Sequence, residues 1–264
     1  MKPVHKPKKG SAKPSSSWGG VASWYDELLE KDGDTYQQQV ILPNLMRVLA
    51  LKRGEQVIDI ACGQGFFTRA CAAAGAKVAG ADISKELVAL AKKQPGPAIE
   101  FYATPAHQLD FAPTGTYDTA IIVLAIQNIE NMEQVFAEAA RVLKPAGRLV
   151  LVLNHPAFRV PKRSSWGYDE ASKTQYRRVD RYLSAEKVTI DMHPGTKGGE
   201  QTLSFHRSLQ DITKALHKNH FAIARLEEWI SHRESEPGPR QNAENTARKE
   251  FPLFLMLEGK KMPG

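Results

Sequence analysis

This sequence predicts an α/β fold with a mostly parallel sheet and helices on both faces, and three observations lead there. The run Val57-Ile58-Asp59-Ile60 is apolar and β-branched, and it ends in the small-residue turn Ala61-Cys62-Gly63-Gln64-Gly65. An amphipathic segment starts at about Phe66. That is a buried strand feeding through a tight turn into a helix. About one βα unit later, Val78-Ala79-Gly80-Ala81-Asp82 is a second strand that ends in an acid. Tyr117–Leu124 is apolar almost throughout, as a strand buried on both faces must be.

The elements follow in order. Residues 1–17 are rich in Pro, Ser and Lys and predict a disordered basic tail. Residues 18–153 then hold a lid and the ligand-binding half of the sheet. Trp18, Trp24, Tyr25, Leu28 and Leu29 have the spacing of a short amphipathic helix. A second helix spans roughly Tyr36 to Leu49, and Pro43 within it predicts a kink. The helix after the first strand runs from about Phe66 to Ala74 and stops at Gly75. Ser84 caps the next, Lys85 to Lys93, with Glu86 near its positive end. Ala98–Tyr102 is a short third strand, Tyr117–Leu124 a fourth, Met132–Leu143 a helix and Arg148–Leu153 a fifth strand.

Residues 154–207 break the alternation and read as a cap inserted after the fifth strand, closed by a strand at Thr202–Arg207. Residues 208–264 return to the sheet, with a helix at Leu209–His217 and strands at Phe221–Trp229 and Phe251–Leu257. Between those strands Ser231–Lys249 is polar, carries Pro237-Gly238-Pro239, and is expected to be a long loop.

An acid at the tip of the second strand, beside a glycine-bearing first turn, is the arrangement that grips a ribose diol. The pair resembles the nucleoside-binding motifs of class I S-adenosylmethionine-dependent methyltransferases, whose first motif reads acid-x-Gly-x-Gly-x-Gly. Here it is Asp59-x-Ala61-x-Gly63-x-Gly65, with alanine at the first glycine. The turn Leu143-Lys144-Pro145-Ala146-Gly147 before an apolar strand is a second hallmark. The resemblance implies a Rossmann-like seven-stranded sheet whose last strand is antiparallel and enters between the fifth and sixth. It implies S-adenosylmethionine as cofactor, with S-adenosylhomocysteine as product. It also implies cofactor contacts at Asp59, Ala61, Cys62, Gly63, Gly65, Asp82, Ile83, Ala106, His107 and Leu124, with Tyr25 reaching in from the lid. In the loop after the third strand, Leu109 and Phe111 align with the family pattern and leave Pro105 where an acid usually accepts the adenine amino group.

Composition narrows the setting. Five lysines of the net +7 sit in the tail (Lys2, Lys6, Lys8, Lys9 and Lys13), so the remainder is only mildly basic. No run reaches the roughly 18 apolar residues of a bilayer span, and Met1–Lys13 is not followed by the apolar stretch of a secretory signal. The two cysteines, Cys62 and Cys71, form neither a CxxC pair nor a disulfide framework, which points to a reducing cytoplasm and no metal site.

Methyl transfer from a sulfonium demands positioning above all, with a base added where the acceptor must lose a proton. His155, directly after the fifth strand, is the first candidate for that base or for an orienting group; Asn128 is the second. Gln127, Tyr168, Arg178, His193 and His232 are candidate acceptor contacts. The cap arginines Arg159, Arg177, Arg178 and Arg181 suit a carboxylate or phosphate on the acceptor, or a solvated face paired with acids. Arg177 and Arg178 cannot both face one pocket if this stretch is helical. Ala125-Ile126-Gln127-Asn128 lacks the acid or Asn-Pro-Pro-aromatic motif of amino-directed nucleic-acid methyltransferases, and no cysteine stands after the fourth or fifth strand to attack a pyrimidine. The expectation is therefore a methyltransferase for a small-molecule acceptor, with an RNA or protein acceptor and a non-catalytic nucleotide-binding module as alternatives. Oligomeric state is not readable.

Overall fold

A computed structural model describes residue 18 and residues 33–96, 98–191 and 201–263. The expected tail, most of the first lid helix with Tyr25, and His193 lie outside the described residues.

Seven strands form one sheet: β1 (Gln56–Ile60), β2 (Lys77–Asp82), β3 (Glu100–Ala103), β4 (Tyr117–Val123), β5 (Leu143–Asn154), β10 (Phe221–Trp229) and β11 (Phe254–Lys261). Their order is β10-β11-β5-β4-β1-β2-β3. β11 runs antiparallel to both β5 and β10, while the pairs among the first five strands are parallel. The order and the antiparallel last strand are those implied by the resemblance. The pleat explains the continuous apolar runs. In β5, Leu149, Leu151 and Leu153 pack with α4 (Met132–Val142) and α5 (Leu209–Lys218). Val150 and Val152 pack on the other face, with α1 (Leu42–Leu49) and α2 (Phe66–Ala73). The third helix, α3 (Lys85–Lys93), is capped by Ser84 as expected, its side chain accepting from the Leu87 N–H at 3.1 Å.

The structure differs from the sequence reading in four places. Instead of one kinked helix from Tyr36, a single π-turn, Gln37–Ile41, precedes α1. Pro43 has no N–H for the Gln39 carbonyl and its ring crowds that oxygen, and the wider turn relieves both. β5 starts at Leu143 rather than Arg148, and the family's turn is a bulge inside it, with Ala146 at φ 60°. Pairing with β4 jumps from Tyr117↔Leu143 to Thr119↔Arg148 across this bulge. Gly147 is required there, because a Cβ would stand 2.9 Å from the Lys144 carbonyl oxygen.

The segment expected to be a cap contains two hairpins, β6 (Ser164–Asp169) with β7 (Thr174–Val179) and β8 (Glu186–Asp191) with β9 (Gln201–His206). Finally, the expected loop contains a helix, α6 (Gln241–Glu250), which packs against β7. Only Ala247 of α6 is buried, so it has no apolar stripe for a sequence reading to find.

Candidate active site

The carboxyl ends of β1, β2 and β4 surround a cavity of about 240 Å³. This is where open α/β sheets bind ligands. From β1, the turn residues Ala61, Cys62 and Gly63 form one wall, with left-handed φ values of 60° at Ala61 and 58° at Gly63. Gln64 follows, 1% exposed. Arg69 donates to its carbonyl at 2.7 Å and to its Oε1 at 2.8 Å. Its amide Nε2 is buried without a partner.

Two carboxylates face this turn. Asp82, at the tip of β2, accepts the Gly63 N–H at 2.9 Å on Oδ2 and the Ser84 N–H at 2.8 Å on Oδ1. These bonds leave a lone pair on each oxygen. Burial pushes the Asp82 carboxyl up, and the two backbone N–H bonds oppose that. Asp59 is buried at the end of β1 and accepts from the Thr68 hydroxyl at 2.6 Å. Its burial pushes it up to about 7, against the Thr68 hydrogen bond, and the Asp82 charge adds to the rise. The same burial, with both acids nearby, holds the Cys62 thiol well above its usual range, so it stays protonated.

Ile83, exposed at the rim, and Pro105, Ala106 and His107 continue the lining. The wall at Pro105 thus carries no carboxylate. The loop is clamped from below by α4. The Leu109 N–H donates to Glu138 at 2.7 Å, and Arg141 donates to the Leu109 and Ala112 carbonyls at 3.0 and 2.9 Å. From β4 come Leu124, at φ 54° with its N–H on the Val152 carbonyl at 2.7 Å, and buried Asn128. Trp18 also lines the cavity. Gly65 does not. It starts α2 at φ 82°, where a Cβ would stand 2.8 Å from the Phe101 ring, so its bareness serves packing behind the turn.

Residues 58–151 match the methyltransferase domain family. The chain is 35% identical over 113 residues to a demethylmenaquinone methyltransferase of Tropheryma whipplei, covering 42% of this chain and 46% of that one. It thus spans about half the length of such relatives. The solved S-adenosylmethionine-dependent methyltransferase of Mesorhizobium loti is 27% identical, with a TM-score of 0.64 over 83% of this chain and 96% of that one. Residues 58–151 are thus similar to a methyltransferase domain, within a sheet that has the Rossmann-like fold of the class I S-adenosylmethionine-dependent methyltransferases. The fold by itself does not dictate chemistry: the cyclase SpnF shares it at 16% identity, with a TM-score of 0.57 over 95% of this chain and 97% of that one.

The family's cofactor is S-adenosylmethionine, and the donor cavity fits it. The two lone pairs left on Asp82 match a ribose diol. The buried, unpartnered Gln64 amide is a donor awaiting an acceptor, and a methionine carboxylate is one. Asp59 would supply a latent negative charge to a cofactor that carries a cationic sulfonium and an ammonium. Gln64 and Thr68 were not singled out in the sequence, although both lie in the motif's own turn and helix.

The acceptor-side candidates are scattered. His155 lies outside the donor cavity, buried after β5. Its Nδ1 accepts the Ala157 N–H at 3.2 Å, which leaves the proton on Nε2, 2.8 Å from Glu228 Oε1. Burial depresses its pKa, against the pull of Glu228. With both ring nitrogens engaged it has no lone pair to offer an acceptor. Gln127 donates to the Leu124 carbonyl at 2.7 Å and lines a neighbouring cleft between the end of β4 and β9. Tyr168 stacks under Arg240, and Arg178 pairs with Asp180 at 2.9 Å in solvent. His232 packs edge-on against Tyr36 and bonds Asp34 at 2.8 Å. Because β7 is a strand and not a helix, Arg177 and Arg178 point to opposite faces, and Arg177 alone turns inward to a cavity.

Among the described residues no helix is long and apolar enough to cross a membrane, and no three His, Cys, Asp or Glu side chains are grouped as metal ligands.

Proposed function

We propose that this chain transfers a methyl group from S-adenosylmethionine to a small-molecule acceptor that carries an anionic group. The carrying observation is the pairing of Asp82 with the Gly63 and Ser84 N–H groups at the mouth of a glycine turn, which presents a fixed, half-used carboxylate to a nucleoside. When bound, the cofactor would supply an electrophilic sulfonium methyl group. The chain's part is to hold both reactants and exclude water. Asp59, Asp82 and Gln64 orient the donor, and Asn128, Glu130 and Asn131 are the polar groups that the segment after β4 brings to the cavity wall. His155 acts through position, steadying the segment after β5.

The small-molecule acceptor is supported by named relatives such as the demethylmenaquinone methyltransferase. It is supported too by the outer surface of the two hairpins, where the half-exposed Arg163 and the exposed Arg178 and Lys187 are paired with Glu186, Asp180 and Glu130. A nucleic-acid track would leave such a row of cations free. Both cysteines are free thiols, consistent with a reducing cytoplasm as the setting. Incubating the protein with methyl-labelled cofactor and a cell extract gives the test. The label is expected in the low-mass acidic fraction. Label recovered in RNA or protein, or none transferred at all, contradicts the reading.

A further inference from the structure

A second cavity, of about 260 Å³, opens on the same carboxyl edge beyond β5. Its walls come from distant segments. Tyr36 precedes the π-turn, Phe158 and Arg159 follow β5, Trp166 and Arg177 face each other across the β6–β7 hairpin, and Arg248 of α6 and Phe251 close it. Three guanidiniums therefore line one cavity, and no carboxylate is among the described residues lining it.

Their partners are all neutral. Arg159 donates to Asn154 Oδ1 at 2.8 Å. Arg177 donates through Nε to the Phe158 carbonyl and through one terminal nitrogen to the Ser164 hydroxyl, both at 2.8 Å. Arg248 donates through Nε to the Ser235 hydroxyl at 2.9 Å. Each anchoring bond fixes a side chain and leaves further N–H groups over. Three neighbouring arginines do have acids: Arg163 has Glu186 at 2.7 Å, Arg178 has Asp180 at 2.9 Å, and Arg240 has Glu170 at 2.5 Å. Arg159, Arg177 and Arg248 have no such acid, and they share one cavity.

Like charges gathered out of water are unfavourable unless a counter-charge joins them. Burial lowers the pKa of Arg159 and of Arg177, and Arg177 adds to the effect on Arg159. The remaining wall is aromatic. Phe251 meets Phe158 and Trp166 edge-to-face at 5.5 and 5.3 Å, and Arg177 lies over the Trp166 ring at 4.9 Å. Such walls favour a planar ring in stacked or edge contact.

We infer that this cavity binds the carboxylate end of a small aromatic acid, with the carboxylate on Arg159, Arg177 and Arg248 and the ring against Trp166, Phe158 and Phe251. Identifying that acid as the methyl acceptor rests on the proposed function. The link to the donor side is Tyr36, which lines this cavity and packs in the same apolar cluster as Phe66 and Leu124 of the donor cavity.

Calorimetric titration with benzoate, cyclohexanecarboxylate and inorganic phosphate, each with S-adenosylhomocysteine present and absent, tests this on the full chain. Benzoate is expected to bind one-to-one with a Kd on the order of 0.1–1 mM and to quench Trp166 fluorescence. Arg177→Gln and Arg248→Gln should each weaken it about 10-fold or more, with S-adenosylhomocysteine binding unchanged as the check on folding. Arg248→Lys should restore part of the loss. Absence of benzoate binding, indifference to both Gln variants, or phosphate or cyclohexanecarboxylate binding as tightly as benzoate overturns the assignment. Benzoate binding with the expected Arg dependence, in a protein that does not bind S-adenosylhomocysteine, supports this cavity and sinks the methyltransferase reading instead.

Discussion

Ala61 holds a left-handed backbone, φ 60°, at the position where the family's motif has its first glycine. The strain of that conformation on a Cβ-bearing residue is about 1–2 kcal/mol, partly offset because glycine loses more entropy on folding. Ala61→Gly should therefore raise Tm by about 1–3 °C in a chain of this size, measured by calorimetry; a fall in Tm would mean that the Ala61 methyl packs usefully. Asp59 makes a second residue-scale prediction. Its folded pKa is raised to about 7, so it contributes most to stability when protonated, below its unfolded value, and loses that contribution as pH rises toward 7. A cationic ligand favours the ionised form. Affinity for S-adenosylmethionine should rise between about pH 6 and pH 8 with proton release on binding, and Asp59→Asn should flatten the profile. An unchanged slope in the variant would assign the titration to another group. These residues were legible because strand, turn and acid are consecutive in the chain. Thr68 and Gln64 were not, because their hydrogen bonds need the turn's geometry, which spacing does not specify.

At the scale of elements, the loop from Thr104 to Ala112 shows how a helix far along the chain shapes the donor cavity. Glu138 and Arg141 sit on α4, where an i,i+3 pair reads as a solvated face, yet both reach the backbone of that loop. Arg141→Ala should lower Tm by about 3–6 °C and weaken S-adenosylhomocysteine several-fold; full affinity with lowered Tm would confine Arg141 to stability. The strands of the core were readable from their apolar runs, which reflect burial on both faces. α6 was hidden because its folding depends on the contact with β7 and not on an apolar stripe of its own. The π-turn before α1 was readable only as a disturbance at Pro43, since proline announces a missing hydrogen bond without saying how the chain accommodates it.

For the whole molecule, the sheet brings two cavities to one edge, and they differ in how they are encoded. The donor cavity is built from the ends of neighbouring strands, each with a local signature, so the sequence alone could point to Asp59, Gly63 and Asp82, which the structure brings to one cavity. The second cavity gathers Tyr36, Arg159, Arg177 and Arg248 from across the chain, with no spacing to announce it. The cap arginines stand out in the sequence as a group, but the inward Arg177 separates from the outward Arg178 only because β7 is a strand. Everything proposed for the acceptor depends on the donor cavity holding a nucleoside through Asp82. Titration of S-adenosylhomocysteine into the wild-type protein and Asp82→Ala measures that directly. The account predicts one site per chain and a loss of about 100-fold or more in the variant, as expected for losing two hydrogen bonds to a charged group. No binding to the wild type, or equal binding to both proteins, would contradict it.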